Sequence, residues 1–330
     1  MARTAYIKDF QEGQVVGEVF VLESKSLGTT RAGKPYLTLA LRDKTGRIDA
    51  KVWEEADAIN EQLAGAQFVR VNGSVESYKD QRQLKVSNLA VKRAEDVALD
   101  ELMAVSESDP DAMLEEVFEI ARTVQNEHLL ELLRAFFKDA EFVERFKTVP
   151  ASKSIHQAYG SGLLEHTLSV LKICCMLVEH YSSLYGRRLD RDLLIAGAIL
   201  HDAGKVEELE TGPTLGYTTP GRLVGHIVLG YRMVEERIAQ IEGFPQELRD
   251  QLGHLLLSHQ GRLEWKSPVL PMFTEAILLH YVDDLDAKVH HVADAIARHT
   301  DPEAAFTDFD RILERFFYTQ VQTPEPPEEE

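Results

Sequence analysis

The sequence predicts a multidomain chain, an all-β barrel followed by an all-α helical bundle, and three observations carry that reading. Apolar and polar residues alternate with period two in five runs between residues 10 and 92, and apolar residues recur at helical spacing from about residue 110 onward. A polar, acidic passage separates the two regimes. With 330 residues and 44% hydrophobic content, the chain can bury two such cores.

The strand-like runs are "QVVGEVFVLESKSLG", "KPYLTLALRD", "GRIDAKVW", "FVRVNGSVESY" and "RQLKVSNLAV", with turn signals at "TTRAGKP", "DKTG" and "YKDQ". Between the third and fourth runs, "WEEADAINEQLAG" predicts one short helix. Five strands with a helix at that place have the layout of an OB-fold, here residues 1–95. Residues 96–150 read as a linker and helical connector, in which Asp109-Pro110 suits an N-cap and first turn. Met113, Leu114, Val117, Ile120, Ala121 and Val124 form the stripe of the helix that follows. Residues 151–320 read as the bundle. Helices are expected at about 127–137, 139–147, 163–185, 190–203, 222–242, 245–258, 271–299 and 308–320. Residues 321–330, ending in "TPEPPEEE", have the composition of a disordered acidic tail.

A net charge of −19 argues against a polyanionic partner for the chain as a whole. The distribution reverses this for the first part. Residues 1–97 carry 15 Lys+Arg against 14 Asp+Glu, so the excess acid lies in the remainder. No run of eighteen uncharged apolar residues occurs, and "MARTAYIKDFQEG" lacks the apolar core of a secretion signal. Cys174 and Cys175 are neighbours in an apolar helical pattern and read as buried thiols. These features lead to the expectation of a cytoplasmic protein with no membrane partner.

The chemistry sits in the apolar stripes of the helical part. His166 stands in "GLLEHTLSVLKI", His201 and Asp202 in "ILHDAGK", His226 in "RLVGHIVLGYRM", His254 and His259 in "LGHLLLSHQG", and Asp283 in "AILLHYVDDLDAKV". One such histidine suits a hydrogen-bonded core residue. So many in one bundle are costly to bury unless something binds them, and imidazole with carboxylate suits a divalent metal. His254 lies five residues before His259, about 140° round a regular helix, so both reach one site only if the helix ends or bends between them. Lys205, four after His201, either meets a substrate phosphate or is a solvent lysine beside a glycine. Asp284, Lys288, His291 and Arg298 read as a solvated face, with His290 and His299 on the surface. Asp286 shares the side of Asp283 and reads either as part of that solvated face or as support for a ligand.

His166, the His201–Asp202 doublet and Asp283, in that order on separate helices, resemble the motif of the HD-domain phosphohydrolases. With a barrel ahead, and with "AYGSGLLEHTLSV", "AGAILHDAGK", "GHIVLG", "LLLSHQG" and "EAILLHYVDDLDAK", nearly the whole chain is similar to the YhaM-type 3′–5′ exoribonucleases. The resemblance implies an HD-domain bundle in which His166, His201, Asp202 and Asp283 hold a first divalent ion. His226 and His259 match second-ion ligands, with His254 a further candidate. Mn²⁺ is the first expectation, with Fe, Co, Mg, Ni or Zn as alternatives. Asp202 is the candidate for orienting the attacking water. Gln260 stands where relatives carry a histidine after the one matching His259, and Gln157 departs similarly after His156, so one ion or two stays open.

In the barrel, Tyr36, Trp53 and Tyr78 are candidates for stacking bases. Lys34, Lys51, Arg82 and Lys85, with Arg31, Arg47 and Lys79, are candidates for tracking a phosphate backbone. Trp53 ends an alternating strand and suits either a core or a platform. The expected substrate is single-stranded RNA, with single-stranded DNA or nucleotides as alternatives; the choice of RNA and of 3′–5′ polarity rests on the resemblance. One competing reading is an HD-type nucleotide or cyclic-nucleotide phosphohydrolase, although "RLEWKSP" follows "SHQG" where cyclic-dinucleotide enzymes have "GYP". Another is a non-enzymatic single-strand-binding or assembly module. A homo-oligomer is compatible with each.

Overall fold

A computed structural model describes residues 3–320 apart from 31, 79–80, 104–105, 107, 153–158, 186–188, 211, 213–215, 298 and 300–303. Arg31, Lys79, His156, Gln157, Arg298 and the acidic tail lie outside the described residues. The chain divides into two compact units, Met1–Val105 with Glu210–Gly216 and Ser106–Leu209 with Tyr217–Glu330.

The first unit is a closed five-stranded barrel. Its elements are β1 (Val15–Thr29), β2 (Pro35–Asp43), β3 (Gly46–Val52), α1 (Ala56–Gln62), β4 (Phe68–Tyr78) and β5 (Gln81–Lys92). The strands follow one another as β1-β2-β3-β5-β4, and β4 pairs back onto β1. All pairings are antiparallel except β3 with β5, where Asp49, Ala50 and Lys51 run beside Gln83, Leu84 and Lys85. Strict alternation fixes the register: Leu37, Leu39 and Leu41 of β2 point inward with Phe20, Ala50, Val69, Val71 and Leu84. The short α2 (Leu99–Leu102) belongs to the same unit, where Leu102 buries against Val21 and Phe68.

The second unit is helical. It opens with α3 (Pro110–Ala121), α4 (Glu127–Lys138) and α5 (Ala140–Thr148). The Asp109 side chain accepts from the Asp111 N–H, Asn126 from His128 and Leu129, and Asp139 from Phe142, so each helix starts on a side-chain cap. These three helices share one continuous core with the helices after them. From α3 onward the connector is therefore an integral part of the bundle, while Leu99–Leu102 belongs to the barrel unit.

There follow α6 (Gly162–Tyr185), α7 (Arg191–Leu200), α8 (Lys205–Glu208), α9 (Thr219–Leu223), α10 (His226–Ile238), α11 (Gln246–Ser258) and α12 (Thr274–Ala297). Every residue of α7 from Leu193 to Leu200 is buried, as befits a helix apolar on all sides. Among the described residues, no helix is long and apolar enough to cross a membrane. Cys174 is buried, Cys175 half-buried, and both are free thiols.

Four expectations change. The helix expected over 222–242 begins only at His226, because Gly225 takes a φ of 83° and separates α9 from α10. The helix expected over 308–320 is absent. There the chain forms an antiparallel hairpin, with Phe306 beside Tyr318 and Asp310 beside Arg315. The Asp310 carboxylate accepts from the N–H groups of Ile312 and Leu313, which tightens the turn and outcompetes helical bonding. His291 is buried and its Nε2 lies 2.7 Å from Asp310, so it anchors this hairpin to α12 and is not part of a solvated face. His290 is half-buried, 3.0 Å from the Tyr159 hydroxyl.

Candidate metal centre and nucleic-acid face

Four helical segments aim imidazole at one interior point. His166 lies in the first turns of α6, His201 follows the last residue of α7, His226 opens α10, and His259 follows the last residue of α11. Each ring is held by its other nitrogen. His201 Nδ1 donates to the Ala198 carbonyl at 2.8 Å and His259 Nδ1 to the Leu256 carbonyl at 2.7 Å. His166 Nδ1 donates to Asp286 at 2.7 Å, and His226 Nδ1 to Glu208 at 3.2 Å. This leaves all four Nε2 atoms facing inward, the arrangement in which metal-binding imidazoles are oriented by the partner of the other nitrogen.

Two groups result, His166 with His201 and Asp283, and Asp202 with His226 and His259. Within the first, His166 Nε2 is 3.1 Å from Asp283 and 3.3 Å from His201 Nε2. Asp202 links the two. Its Oδ2 is 3.3 Å from His201 Nε2, while its Oδ1 is 3.5 Å from His226 Nε2 and 3.7 Å from His259 Nε2. Asp202 Oδ1 and His226 Nε2 are buried without a hydrogen-bond partner among the described residues, a costly state that a cation between them relieves. The donor set therefore fits divalent ions.

The electrostatics agree. Burial alone raises a carboxyl pKa, yet Lys205 and then His201 hold Asp202 well below the usual carboxylate range. Asp283 is likewise lowered against burial, by its hydrogen bond with His166 and by His201. His166 is opposed by burial, but its bonds to Asp283 and Asp286 push it up to about 9. Burial pushes His259 down to about 4, leaving it neutral and ready to ligate. Glu208 lies below its usual value because its hydrogen bond with His226 outweighs burial.

The close approach of α10 depends on Gly204. A Cβ there would lie 2.0 Å from the His226 carbonyl oxygen and 2.4 Å from the Gly230 nitrogen. Only glycine lets the turn after Asp202 pack against the first turn of α10, which brings His226 to Asp202. Lys205 is buried, with its ammonium 2.5 Å from Asp202 Oδ2; this rules out the solvent-lysine reading.

His254 joins neither group. Helix α11 runs unbroken to Ser258, so the ring points away from His259, accepts the Met272 N–H at 3.0 Å and packs against Phe273. Gln260 places its amide nitrogen 3.3 Å from His259 Nε2. Glu208 and the Ser169 hydroxyl, which bonds Asp286, went unnoticed in the sequence; no spacing links them to the ligands before the fold does.

On the barrel, Tyr36 and Trp53 form an exterior aromatic pair with ring centroids 5.3 Å apart. Trp53 is 47% exposed, which places it on the surface and not in the core. Tyr36 lies flat on Gly28, where a Cβ would meet its ring at 2.6 Å. Lys51 Nζ sits 5.2 Å from the Tyr36 centroid and 2.7 Å from the Thr38 hydroxyl, and Lys51 pairs in register with Lys85 of β5. Lys85 lies 3.7 Å from Glu76, and Lys34 is exposed in the β1–β2 turn. Tyr78 is exposed at the end of β4. Arg82 is exposed on β5, with one guanidinium N–H donating to the Phe10 carbonyl.

Comparison with known proteins matches both units. The HD domain profile covers residues 163–288, spanning all six metal-facing residues, and the OB-fold nucleic acid binding domain profile covers residues 13–91. The chain is 35% identical to a protein of Geobacillus sp. (strain WCH70) named 3′-5′ exoribonuclease YhaM, over 96% of this chain and 95% of that one. It is 34% identical to the protein of the same name from Bacillus subtilis (strain 168), over 87% and 89% of the two chains. Identity to the one from Listeria monocytogenes serotype 4b (strain F2365) is also 34%, over 95% and 97%. With this identity across both units, the chain belongs to the YhaM-type 3′–5′ exoribonuclease family, an OB-fold followed by an HD domain.

Proposed function

We propose that this protein is a metal-dependent 3′–5′ exoribonuclease that hydrolyses single-stranded RNA at a two-ion HD centre. The observation that carries the reading is Asp202, whose two oxygens face two separate histidine groups. Direction of cleavage and RNA as substrate come from the named activity of the relatives.

Divalent ions at these groups, Mn²⁺ first among them, would supply Lewis acidity, lowering the pKa of water and offsetting phosphodiester charge. His166, His201 and Asp283 would hold one ion, His226 and His259 the other, and Asp202 both. Asp202 also orients the attacking water. Lys205 keeps Asp202 ionised and stands beside it as a cation for a phosphate oxygen. Tyr36 and Trp53 stack bases, and Lys51, Lys85 and Lys34 attract the backbone, so the barrel supplies the affinity that the acidic bundle lacks. The free cysteines support a reducing, cytoplasmic setting.

The test is incubation of 5′-labelled single-stranded RNA with the purified protein and Mn²⁺, beside Asp202→Ala. Stepwise shortening from the 3′ end, lost in the variant, is expected. Hydrolysis of free nucleotides without RNA shortening would instead support a nucleotide phosphohydrolase, and no metal-dependent activity would leave a binding module.

A further inference from the structure

The helical unit presents an apolar face that neither the metal centre nor the barrel's aromatic pair explains. On α12, Ile277, Tyr281, Leu285 and Val289 recur every fourth residue and are 44–64% exposed. Asp283 and Asp286, on the same helix, point inward to the metal groups. The stripe is therefore the side of α12 turned away from the chemistry.

The C-terminal hairpin adds to it. Phe306, Phe309, Ile312, Phe316 and Tyr318 are 47–58% exposed, although Phe317 and Thr307 between them are buried. The outward residues pair across the hairpin, Phe306 with Tyr318 at 5.6 Å and Phe309 with Phe316 at 5.2 Å between centroids. The bond between His291 and Asp310 fastens this hairpin to α12. Together the two elements expose roughly half of nine large apolar side chains. At about 150–250 Å² for a whole aromatic side chain, this is on the order of 800 Å², the share that one partner contributes to a standard interface. Monomeric proteins rarely leave so much apolar surface in one place.

We propose that this face is a dimer interface and that its occupant is a second copy of the same chain. A two-fold contact sets the face against itself, so apolar side chains meet apolar side chains without a partner of separate origin. The segment "VQTPEPPEEE" is a poor cover for it, with Val321 as its sole large apolar residue. Nor does the charge suit a nucleic acid. Lys288, beside the stripe, is paired with Asp284 at 2.5 Å, and on the hairpin Arg311 and Arg315 are balanced in the sequence by Asp308, Asp310 and Glu314. Balanced charges around an apolar centre make the polar rim of a protein interface. Because the stripe and Asp283 lie on opposite sides of α12, the dimer leaves the metal groups uncovered.

The test is the mass of the full-length protein in solution at micromolar concentration, by sedimentation velocity and light scattering. Wild-type protein is expected at twice the chain mass, with a Tm that rises with concentration. Leu285→Glu on α12 and Phe316→Glu on the hairpin, made separately, should each raise the dimer Kd by about 30-fold or more. Val15→Glu, on an exposed apolar residue of the barrel, should leave the mass unchanged. The concentration dependence of the wild-type Tm gives a reading even if a variant fails to fold. A wild-type protein of single-chain mass with a concentration-independent Tm overturns the proposal. So does an oligomer that neither variant dissociates, or a monomer in which Phe316→Glu weakens RNA binding.

Discussion

Asp202 Oδ1 and His226 Nε2 face each other 3.5 Å apart in the interior, and neither has a hydrogen-bond partner among the described residues. Around them nearly every other polar atom is satisfied: the remaining nitrogen of each imidazole has its own acceptor, and Asp202 Oδ2 has Lys205. The two bare atoms are what a bound cation would join.

In the metal-free protein His166 lies between Asp283 and Asp286 with a pKa of about 9, so it carries a proton where the ion should bind. Its folded pKa is above the ordinary 6.5. The stabilisation this gives is complete below pH 6.5 and is lost as pH rises through about 9. Metal must displace the proton, so affinity should rise with pH up to about 9, with close to one proton released per chain at pH 7.5 from this residue. Calorimetry in buffers of different ionisation enthalpy measures that release. Asp286→Asn should reduce it and weaken metal binding by about 10–100-fold.

Lys205 is the buried counter-ion of Asp202 in the absence of metal. Lys205→Met should destabilise the metal-free protein by about 3–5 kcal/mol, because it leaves a buried carboxylate unpaired. Mn²⁺ should restore much of that loss by taking over the charge. Urea unfolding with Mn²⁺ and with chelator makes the comparison; equal losses in both would assign Lys205 no link to the metal centre.

Gly204→Ala places a methyl group against the backbone of His226 and Gly230. Pushing α10 away should remove His226 from Asp202 while leaving His166, His201 and Asp283 in place. The variant should keep one ion per chain with reduced affinity for the other, measured by metal titration.

Trp53→Ala removes half of the exposed aromatic pair on the barrel. It should weaken single-stranded RNA binding by about 1–3 kcal/mol. Hydrolysis of a minimal phosphodiester that carries no base to stack should be unchanged. Affinities measured over a series of salt concentrations should fall steeply, with Lys51→Ala reducing the slope.

Much of this was legible in the sequence, for reasons that differ by element. The barrel's strands follow strict alternation, and Leu37, Leu39 and Leu41 all land inside. His166, His201, Asp202 and Asp283 stood out because polar residues interrupted apolar stripes. His254 satisfied the same criterion, yet 140° of helix turns it to Met272. Periodicity identifies a buried polar residue without saying which neighbour satisfies it. The hairpin at 304–320 was misread because alternating aromatics with intervening charges also fit a helix. Asp310, bonding two backbone N–H groups, decides between them. Glu208 was invisible because only the turn through Gly204 brings it to His226.

The central claim is that Asp202 joins two metal-binding groups, and the number of ions per chain tests it most directly. Equilibrium dialysis of the purified full-length protein against Mn²⁺, with metal counted by mass spectrometry, should give two ions per chain. His226→Ala should retain one, and Asp202→Ala should weaken both. A wild-type protein that saturates at one ion, with His226→Ala binding it equally well, would contradict the account.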